Sequence, residues 1–310
     1  MKKIDNVIKA QQFDLETVES IFKTAAEMKL GHQNDLLKNK IMAALFYEPS
    51  TRTRLSFESA MIRLGGRVIG TENAREFSSK AKGESLEDSV RVISGYSDLI
   101  VLRYHKEGGA ERAQRFAQVP IINAGDGTEQ HPTQALLDIF TIKEHFGNIE
   151  GLTIALVGDL TNGRTVRSLC YFLAKHYPKN KIYLVSPAQT KIKDDIKEYL
   201  DKYQVVWQET ENLEPILPEV DVIYQTRVQK ERFQNDQTLY EQVVESAKKL
   251  NVTEKTLRLM KTDAIIMHPL PRVHEIDYAV DKNHRAHYFQ QAQNGVYIRM
   301  ALLKMILVGY

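Results

Sequence analysis

Five consecutive residues, Ser-Thr-Arg-Thr-Arg at 50–54, have the side chains to hold an oxyanion. They follow an apolar run at 41–47 and precede a helical pattern at 55–64, which places them at a strand-to-helix junction. A helix start offers unpaired backbone N–H groups and the positive end of its dipole. The hydroxyls of Ser50, Thr51 and Thr53 and the guanidinium of Arg52 would add charge-assisted donors. The competing reading is a Ser or Thr N-cap followed by a basic first turn. Two arginines beside a positive dipole end oppose it, however, so an anion is expected to compensate them, and a phosphate fits.

Five other clusters carry chemistry. Arg103 closes an apolar run at 99–103. Two glycines in Asn123-Ala-Gly-Asp-Gly precede Gln130-His131-Pro132-Thr133-Gln134, where the proline pins a helix start just after His131. A neutral imidazole there could donate to a carbonyl oxygen and to the oxyanion that develops from it; a purely structural histidine is the equal alternative. The run Gly158-Asp-Leu-Thr-Asn-Gly-Arg-Thr165 is one residue type away from a P-loop, with Arg164 where lysine would stand. A planar guanidinium suits a carboxylate as well as a phosphate. Arg227 and Gln229 in Thr226-Arg-Val-Gln229 supply a second fork and an amide, so Arg164 and Arg227 together suit a dicarboxylate, against the alternative of separate surface salt bridges. In His268-Pro-Leu-Pro-Arg272, Pro269 and Pro271 lack N–H groups, which leaves carbonyls to hold an amino group. The polar segment 77–85, with Ser78 and Lys82, reads on composition alone as a solvated loop.

The elements that must position these groups alternate. A first helix is capped by Asp14, carries Leu15, Val18, Ile21, Phe22 and Ala25 on one face, and stops at Gly31. Strands are expected at 41–47, 67–70, 99–103 and 120–123, then, after a helix at about 133–146, at 152–157, 181–185, 220–224 and 264–267. Continuously apolar strands, each followed by a helix, imply parallel sheets covered on both faces. The expected fold is α/β: two doubly wound domains with four- to five-stranded parallel sheets flanked by helices. The domains are expected at 1–132 plus 293–310 and at 133–292. A final amphipathic helix at 293–308 could join either. Ligands of open α/β sheets gather beyond the carboxyl ends of the strands, and each polar cluster above falls there.

Bulk properties set the outer bounds. With 310 residues, 43% hydrophobic and 26% charged, the chain can bury two cores and has no compositional tendency to disorder. A formal charge of +2 gives no reason to expect a nucleic-acid or membrane partner. The single cysteine, Cys170, excludes an internal disulfide and a multi-cysteine zinc site, and its apolar surroundings read as a buried structural thiol. The N-terminal segment has no apolar targeting core and no run approaches 18 apolar residues, so a cytoplasmic protein is expected.

Taken together, Ser-Thr-Arg-Thr-Arg at 50–54, His131-Pro-Thr-Gln134 and His268-Pro-Leu-Pro271, in this order and spacing, resemble the aspartate/ornithine carbamoyltransferase family from the first helix to the last. The chain lacks the His-Cys-Leu-Pro loop and Ser-Met-Gly segment of the ornithine branch; Ser78, Lys82-Gly-Glu84 and Thr226-Arg-Val-Gln229 look like the aspartate branch. The resemblance implies transfer of the carbamoyl group of carbamoyl phosphate to L-aspartate, giving N-carbamoyl-L-aspartate and phosphate for de novo pyrimidine biosynthesis. It implies that Ser50, Thr51, Arg52 and Thr53 bind the phosphate, and that Arg103 reaches both phosphate and carbonyl oxygen. His131, with Thr53, would polarise the carbonyl; Gln134 would hold the carbamoyl amide; Arg52, Thr53, Arg103 and His131 would act in catalysis. Arg164, Arg227 and Gln229 would grip the aspartate carboxylates, with the carbonyls of Pro269 and Leu270 placing groups in the cleft. Ser78 and Lys82 would come from a neighbouring chain, Lys82 serving both substrates, which implies a homotrimer with shared sites. Separate regulatory chains are a possible further partner; no cofactor or metal is implied. Against the family pattern, Gln293 stands where a glycine can sit. The rivals are a carbamoyltransferase for ornithine or an acylated ornithine, a nucleotide-binding protein suggested by 158–165, and a non-catalytic homologue.

Overall fold

The computed structural model describes residues 3–31, 35–72, 83–233 and 236–310. It divides into two compact units, residues 1–140 with 293–310 and residues 141–292. Unit 1 holds β1 (Ile41–Phe46), β2 (Arg67–Glu72), β3 (Leu99–Tyr104) and β4 (Ile121–Asp126) in one parallel sheet of order β2-β1-β3-β4. Its helices include α1 (Leu15–Leu30), α2 (Thr51–Arg63), α3 (Leu86–Ser94) and α4 (Gly109–Phe116). α5 (Pro132–Phe146) begins in unit 1 and ends in unit 2. Unit 2 holds β5 (Thr153–Val157), β6 (Lys181–Val185), β7 (Val206–Thr210), β8 (Val222–Gln225) and β9 (Ile265–Met267), parallel in the order β7-β6-β5-β8-β9. α6 (Arg164–His176), α7 (Asp194–Lys202), α8 (Gln237–Ala247) and α9 (Glu254–Leu259) accompany them. α10 (Tyr288–Leu307) starts five residues before the amphipathic pattern at 293, because Tyr288 is already anchored in the unit 2 core.

Local chemistry explains the element ends. Asp14 caps α1 by accepting from the Thr17 N–H at 2.7 Å, and Gly31 ends it at φ +112°. β1, β3, β4 and β5 are almost wholly buried; in β1, β3 and β5 apolar runs require it between layers of helices, while β4 also buries Asn123 and Asp126. In unit 1 Ala43, Leu45, Ile100 and Leu102 pack with Val90 and Ala110 of the covering helices. In unit 2 Ala155, Val157, Val185 and Ile223 pack with Leu250, Leu257 and Tyr288. Each buried Leu, Ile or Val side chain among them contributes about 1.5–3 kcal/mol through its removal from water. β7 breaks the pattern: Val-Trp-Gln-Glu-Thr is half exposed at the sheet edge, and its polar alternation hides it from a search for apolar runs.

In both sheets the strand order reverses once. β1 and β3 are neighbours whose chains continue to opposite sides, and so are β5 and β8. That reversal opens a crevice at the carboxyl ends of the paired strands. In unit 1 it receives the start of α2 and Arg103; in unit 2 it receives the loop 158–163 and residues 226–229. Gly158, at φ +115°, lets the unit 2 crevice close: a β-carbon there would lie 2.3 Å from the Thr226 carbonyl oxygen. Gly158→Ala is therefore expected to cost about 3 kcal/mol in denaturant unfolding. Gly147→Ala, also at positive φ but with open space around it, should cost about 1 kcal/mol. Equal losses in the two variants would refute the steric account.

Candidate active site

The unit 1 site is built at the β1–α2 junction. Parallel pairing sets Phe46 beside Arg103, and the Tyr47 N–H donates to the Arg103 carbonyl at 2.9 Å, so the loop leaving β1 runs beside the end of β3. Ser50 occupies the N-cap position of α2 with non-helical φ −159° and ψ 88°, yet its side chain makes no capping hydrogen bond. Thr51 and Arg52 are exposed in the first turn, while Thr53 points inward. From the sequence, two arginines here are expected to need an anion. One of them is satisfied within the chain: Arg54 pairs with Glu58 at 2.9 Å and with Glu72.

His131 reaches the same junction from the far end of unit 1. The turn before it is held by Asn123, which donates to the Ile8 carbonyl at 2.9 Å and accepts from the Gly125 N–H at 2.8 Å. Gln130 is structural, accepting from the Ala10 N–H at 2.8 Å. The His131 carbonyl accepts from the Gln134 N–H at 2.9 Å, so His131 sits just outside α5 with its ring buried. Its Nε2 lies 3.4 Å from Thr53 Oγ1 and its Nδ1 3.4 Å from Thr133 Oγ1. Gln134 follows on the first turn and donates through Nε2 to Asp138 at 2.8 Å. Arg103 is largely enclosed: Nη1 donates to the Ala124 carbonyl at 3.4 Å, and Nε stands 3.6 Å from Glu48, an ion pair too long to be a hydrogen bond. Ser50, Thr51, Arg52, Thr53, Arg103, His131 and Gln134 thus converge at one end of one sheet. Ser78 and Lys82 lie outside the described residues.

The unit 2 site is organised by a residue that the sequence reading passed over. Asp159 is fully buried and accepts from the Asn162 N–H and side-chain amide at 3.0–3.2 Å and from the Gln229 N–H at 3.4 Å. Burial pushes its carboxyl up, against the pull of those donors and of Arg227. Gln229 returns the link, donating through Nε2 to the Asn162 carbonyl at 2.9 Å. Asp159 and Gln229 therefore tie the loop that starts α6, where Arg164 is the first residue, to the loop that carries Arg227. Asp159 also fills the turn that resembles a P-loop with the chain's own carboxylate, which counts against a nucleotide phosphate there. Arg227 is engaged by Glu231 through both terminal nitrogens. A substrate carboxylate would have to compete with that pair.

The Pro269–Leu270 carbonyls are positioned by a second hidden pair. His268 Nδ1 accepts from the Leu270 N–H at 2.7 Å, so the ring proton is on Nε2, which donates to Glu275 at 2.8 Å. Glu275 also accepts from the N–H groups of Val273 and His274. Elsewhere in unit 2, burial pushes the Cys170 thiol up to about 12, as suits a core residue rather than a nucleophile. Among the described residues no group of three or more His, Cys, Asp or Glu side chains could hold a metal ion.

Comparison with known proteins addresses the same two units separately. Residues 5–144 match the carbamoyl-P binding domain of the aspartate/ornithine carbamoyltransferases, and residues 150–306 match their Asp/Orn binding domain. The chain belongs to the aspartate/ornithine carbamoyltransferase family. Among its relatives, aspartate carbamoyltransferase 1, chloroplastic, of Pisum sativum is 55% identical over 99% of this chain and 80% of its own length. The aspartate carbamoyltransferase catalytic subunit of Clostridium perfringens (strain SM101 / Type A) is 47% identical over 99% of both chains. Aspartate transcarbamoylase from Trypanosoma cruzi, solved with carbamoyl aspartate and phosphate, superposes with a TM-score of 0.93 at 38% identity, covering 99% of this chain and 97% of that one. The catalytic subunit of the M. jannaschii aspartate transcarbamoylase gives 0.88 at 46% identity over 98% of each chain. The α/β fold of two helix-flanked parallel sheets is that of these family members.

Within the family's Asp/Orn binding domain, Glu275 gives the loop 268–271 a measurable pH signature. Burial alone would raise its carboxyl, but the hydrogen bonds from His268 and the backbone N–H groups outweigh it and hold it below the ordinary glutamate value. A depressed carboxyl contributes stability above its unfolded value and loses it as pH falls through the folded one. Glu275→Gln is expected to lower stability by about 1–3 kcal/mol at pH 7. The gap from the parent protein should narrow as pH falls through the acid range in thermal melts. A gap that stays constant down to unfolding would count against this role for Glu275.

Proposed function

We propose that this chain transfers the carbamoyl group of carbamoyl phosphate to the amine of L-aspartate, forming N-carbamoyl-L-aspartate and phosphate. The observation that carries the reading is the meeting of Thr53 and His131, 78 positions apart in sequence, at a helix start that its own N-cap side chain leaves unbonded. An anion site and a carbonyl-polarising imidazole are thereby combined. In unit 2, Arg164, Arg227 and Gln229 share a frame built by Asp159, and two guanidinium forks suit two carboxylates. Relatives named for the aspartate reaction, and a similar structure solved with carbamoyl aspartate and phosphate, support the same substrates.

The chemistry follows from these groups. The neutral amine of aspartate attacks the carbamoyl carbon, forming a C–N bond and a tetrahedral oxyanion. Thr53, Arg103 and His131 are the donors that receive the negative charge, already oriented before the reaction. The C–O bond to phosphate then breaks, and the proton lost by the amine leaves with the phosphate. Ser50, Thr51 and Arg52 hold that phosphate, Gln134 the carbamoyl amide, and the carbonyls of Pro269 and Leu270 help place the reacting groups. Positioning and electrostatics supply the acceleration.

The working unit we propose is a homotrimer in which Ser78 and Lys82 of a neighbouring chain complete each site. Uncovered apolar side chains of unit 1 favour such association: Leu55 and Ile62 lie on one face of α2 and Ile69 on the edge strand β2, all at least 40% exposed. Separate regulatory chains remain a further partner under this reading, and a cytoplasmic setting goes with it; among the described residues no helix is long and apolar enough to cross a membrane.

The assay is carbamoyl transfer from carbamoyl phosphate with L-aspartate or L-ornithine as acceptor. Turnover with aspartate and none with ornithine is expected; preference for ornithine would overturn the substrate assignment. His131→Ala should reduce kcat about a hundredfold, the cost of one oxyanion donor. Nearly unchanged turnover in that variant would remove His131 from the mechanism.

A further inference from the structure

α10 carries an arginine that neither half-site uses. Arg299 is 3% exposed, and its guanidinium carbon lies 4.9 Å from the centre of the Phe57 ring in α2. It occupies the space that Gly295 leaves open: a β-carbon on Gly295 would stand 2.3 Å from Arg299 Nη1. A buried guanidinium needs a counter-charge. The carboxylate that acts on Arg299 is Asp138, fully buried one turn beyond Gln134 on α5. Burial pulls the Arg299 guanidinium down to about 10, with Asp138 opposing, so Arg299 is still a cation at neutral pH.

The consequence falls on Gln134. An ionised carboxylate only accepts hydrogen bonds, whereas an amide has a donor end and an acceptor end. Asp138 accepts from the nitrogen of Gln134, Nε2 to Oδ1 at 2.8 Å, and the positive charge of Arg299 acting on Asp138 favours that acceptor, carboxylate form. The amide is no longer free to flip, and its oxygen is the end left to meet a ligand. We propose that Asp138 and Arg299 are positioning residues that fix the orientation of the Gln134 amide and thereby make the site select an acyl phosphate whose acyl group bears N–H donors. The inference rests on the carbamoyl phosphate reading above and explains how that site tells a carbamoyl group from an acetyl group of nearly the same shape.

The test compares equilibrium binding of carbamoyl phosphate, acetyl phosphate and inorganic phosphate to the parent protein, to Asp138→Asn, and to Asp138→Asn combined with Arg299→Met. The single variant offers Gln134 a partner that accepts either amide end; the double variant does so without leaving a buried cation uncompensated. Both should weaken carbamoyl phosphate about tenfold, the worth of one hydrogen bond to the ligand, while acetyl phosphate and inorganic phosphate bind as before. Equal weakening of all three ligands in the variants would mean a structural role only and overturns the proposal. So does an unchanged preference for carbamoyl over acetyl phosphate in either folded variant, and the double variant decides if the single one does not fold. A parent protein that binds inorganic phosphate but does not prefer carbamoyl to acetyl phosphate would instead refute the underlying reading of the site.

Discussion

The constraint on which the rest of the structure depends is the single reversal of strand order in each parallel sheet. Buried parallel strands must be connected through helices, so every strand ends in a loop that turns over the sheet edge. Where neighbouring strands send their chains to opposite sides, those loops part, and backbone groups that would be covered elsewhere are left uncovered. Between β1 and β3 this leaves the start of α2 and the side chain of Arg103. Between β5 and β8 it leaves the loops that carry Arg164 and Arg227. The two clusters of arginine and hydroxyl residues come from separate units, but the same rule generates both.

Cationic side chains gathered in a crevice repel one another unless carboxylates are interleaved. Glu48 stands by Arg103, Glu58 and Glu72 by Arg54, Glu231 by Arg227, and Asp138 by Arg299. The acids differ in what they leave the arginine free to do. Glu58 and Glu72 secure Arg54 to its own helix and to β2, which makes it part of the scaffold. Glu231 lies four residues from Arg227 on an exposed turn, and such a pair is held by little more than local geometry. A dicarboxylate that engages two guanidinium groups at once can displace it. Asp138 is different again, since the arginine is buried and the carboxyl is hydrogen-bonded to the neutral amide of Gln134 instead.

Most of the architecture was legible in the sequence because it rests on period and punctuation. Buried strands appear as apolar runs, and Asp14, Gly31 and Pro132 mark helix ends through their own backbone chemistry. β7 escaped because an edge strand with one wet face carries no apolar run. α10 begins five residues before its amphipathic pattern because Tyr288 and Phe289, adjacent aromatics, do not share that pattern's spacing. Within the sites, the residues expected to touch ligands stood out as cations and hydroxyls after strands. Their supports did not. Asp159 lies inside a motif whose glycines are its visible feature, and Glu275 and Asp138 are single acids of a kind that usually decorates a surface. Whether an acid is buried depends on packing partners remote in sequence, such as Gln229 for Asp159 and Arg299 for Asp138, and no local spacing reports that.

The two strand-to-helix junctions show how alike sequences come to serve different ligands. Residues 50–54 and 158–165 both pass from a buried strand into a helix, and both carry hydroxyls and arginine. In the second, the Asp159 carboxylate accepts from the Asn162 N–H, so the turn is already supplied with an anion and becomes a rigid mount for Arg164. In the first, Ser50 does not cap α2, and the acids that neutralise Arg54 lie along the helix and on β2 rather than at its start. A dianionic phosphate is attracted to a helix start without a carboxylate of its own and repelled by one that already holds a carboxylate. The position of one carboxylate, rather than the glycine spacing of the loop, therefore distinguishes the two junctions: the first helix start is left open to an anion, and the second is a mount for a guanidinium.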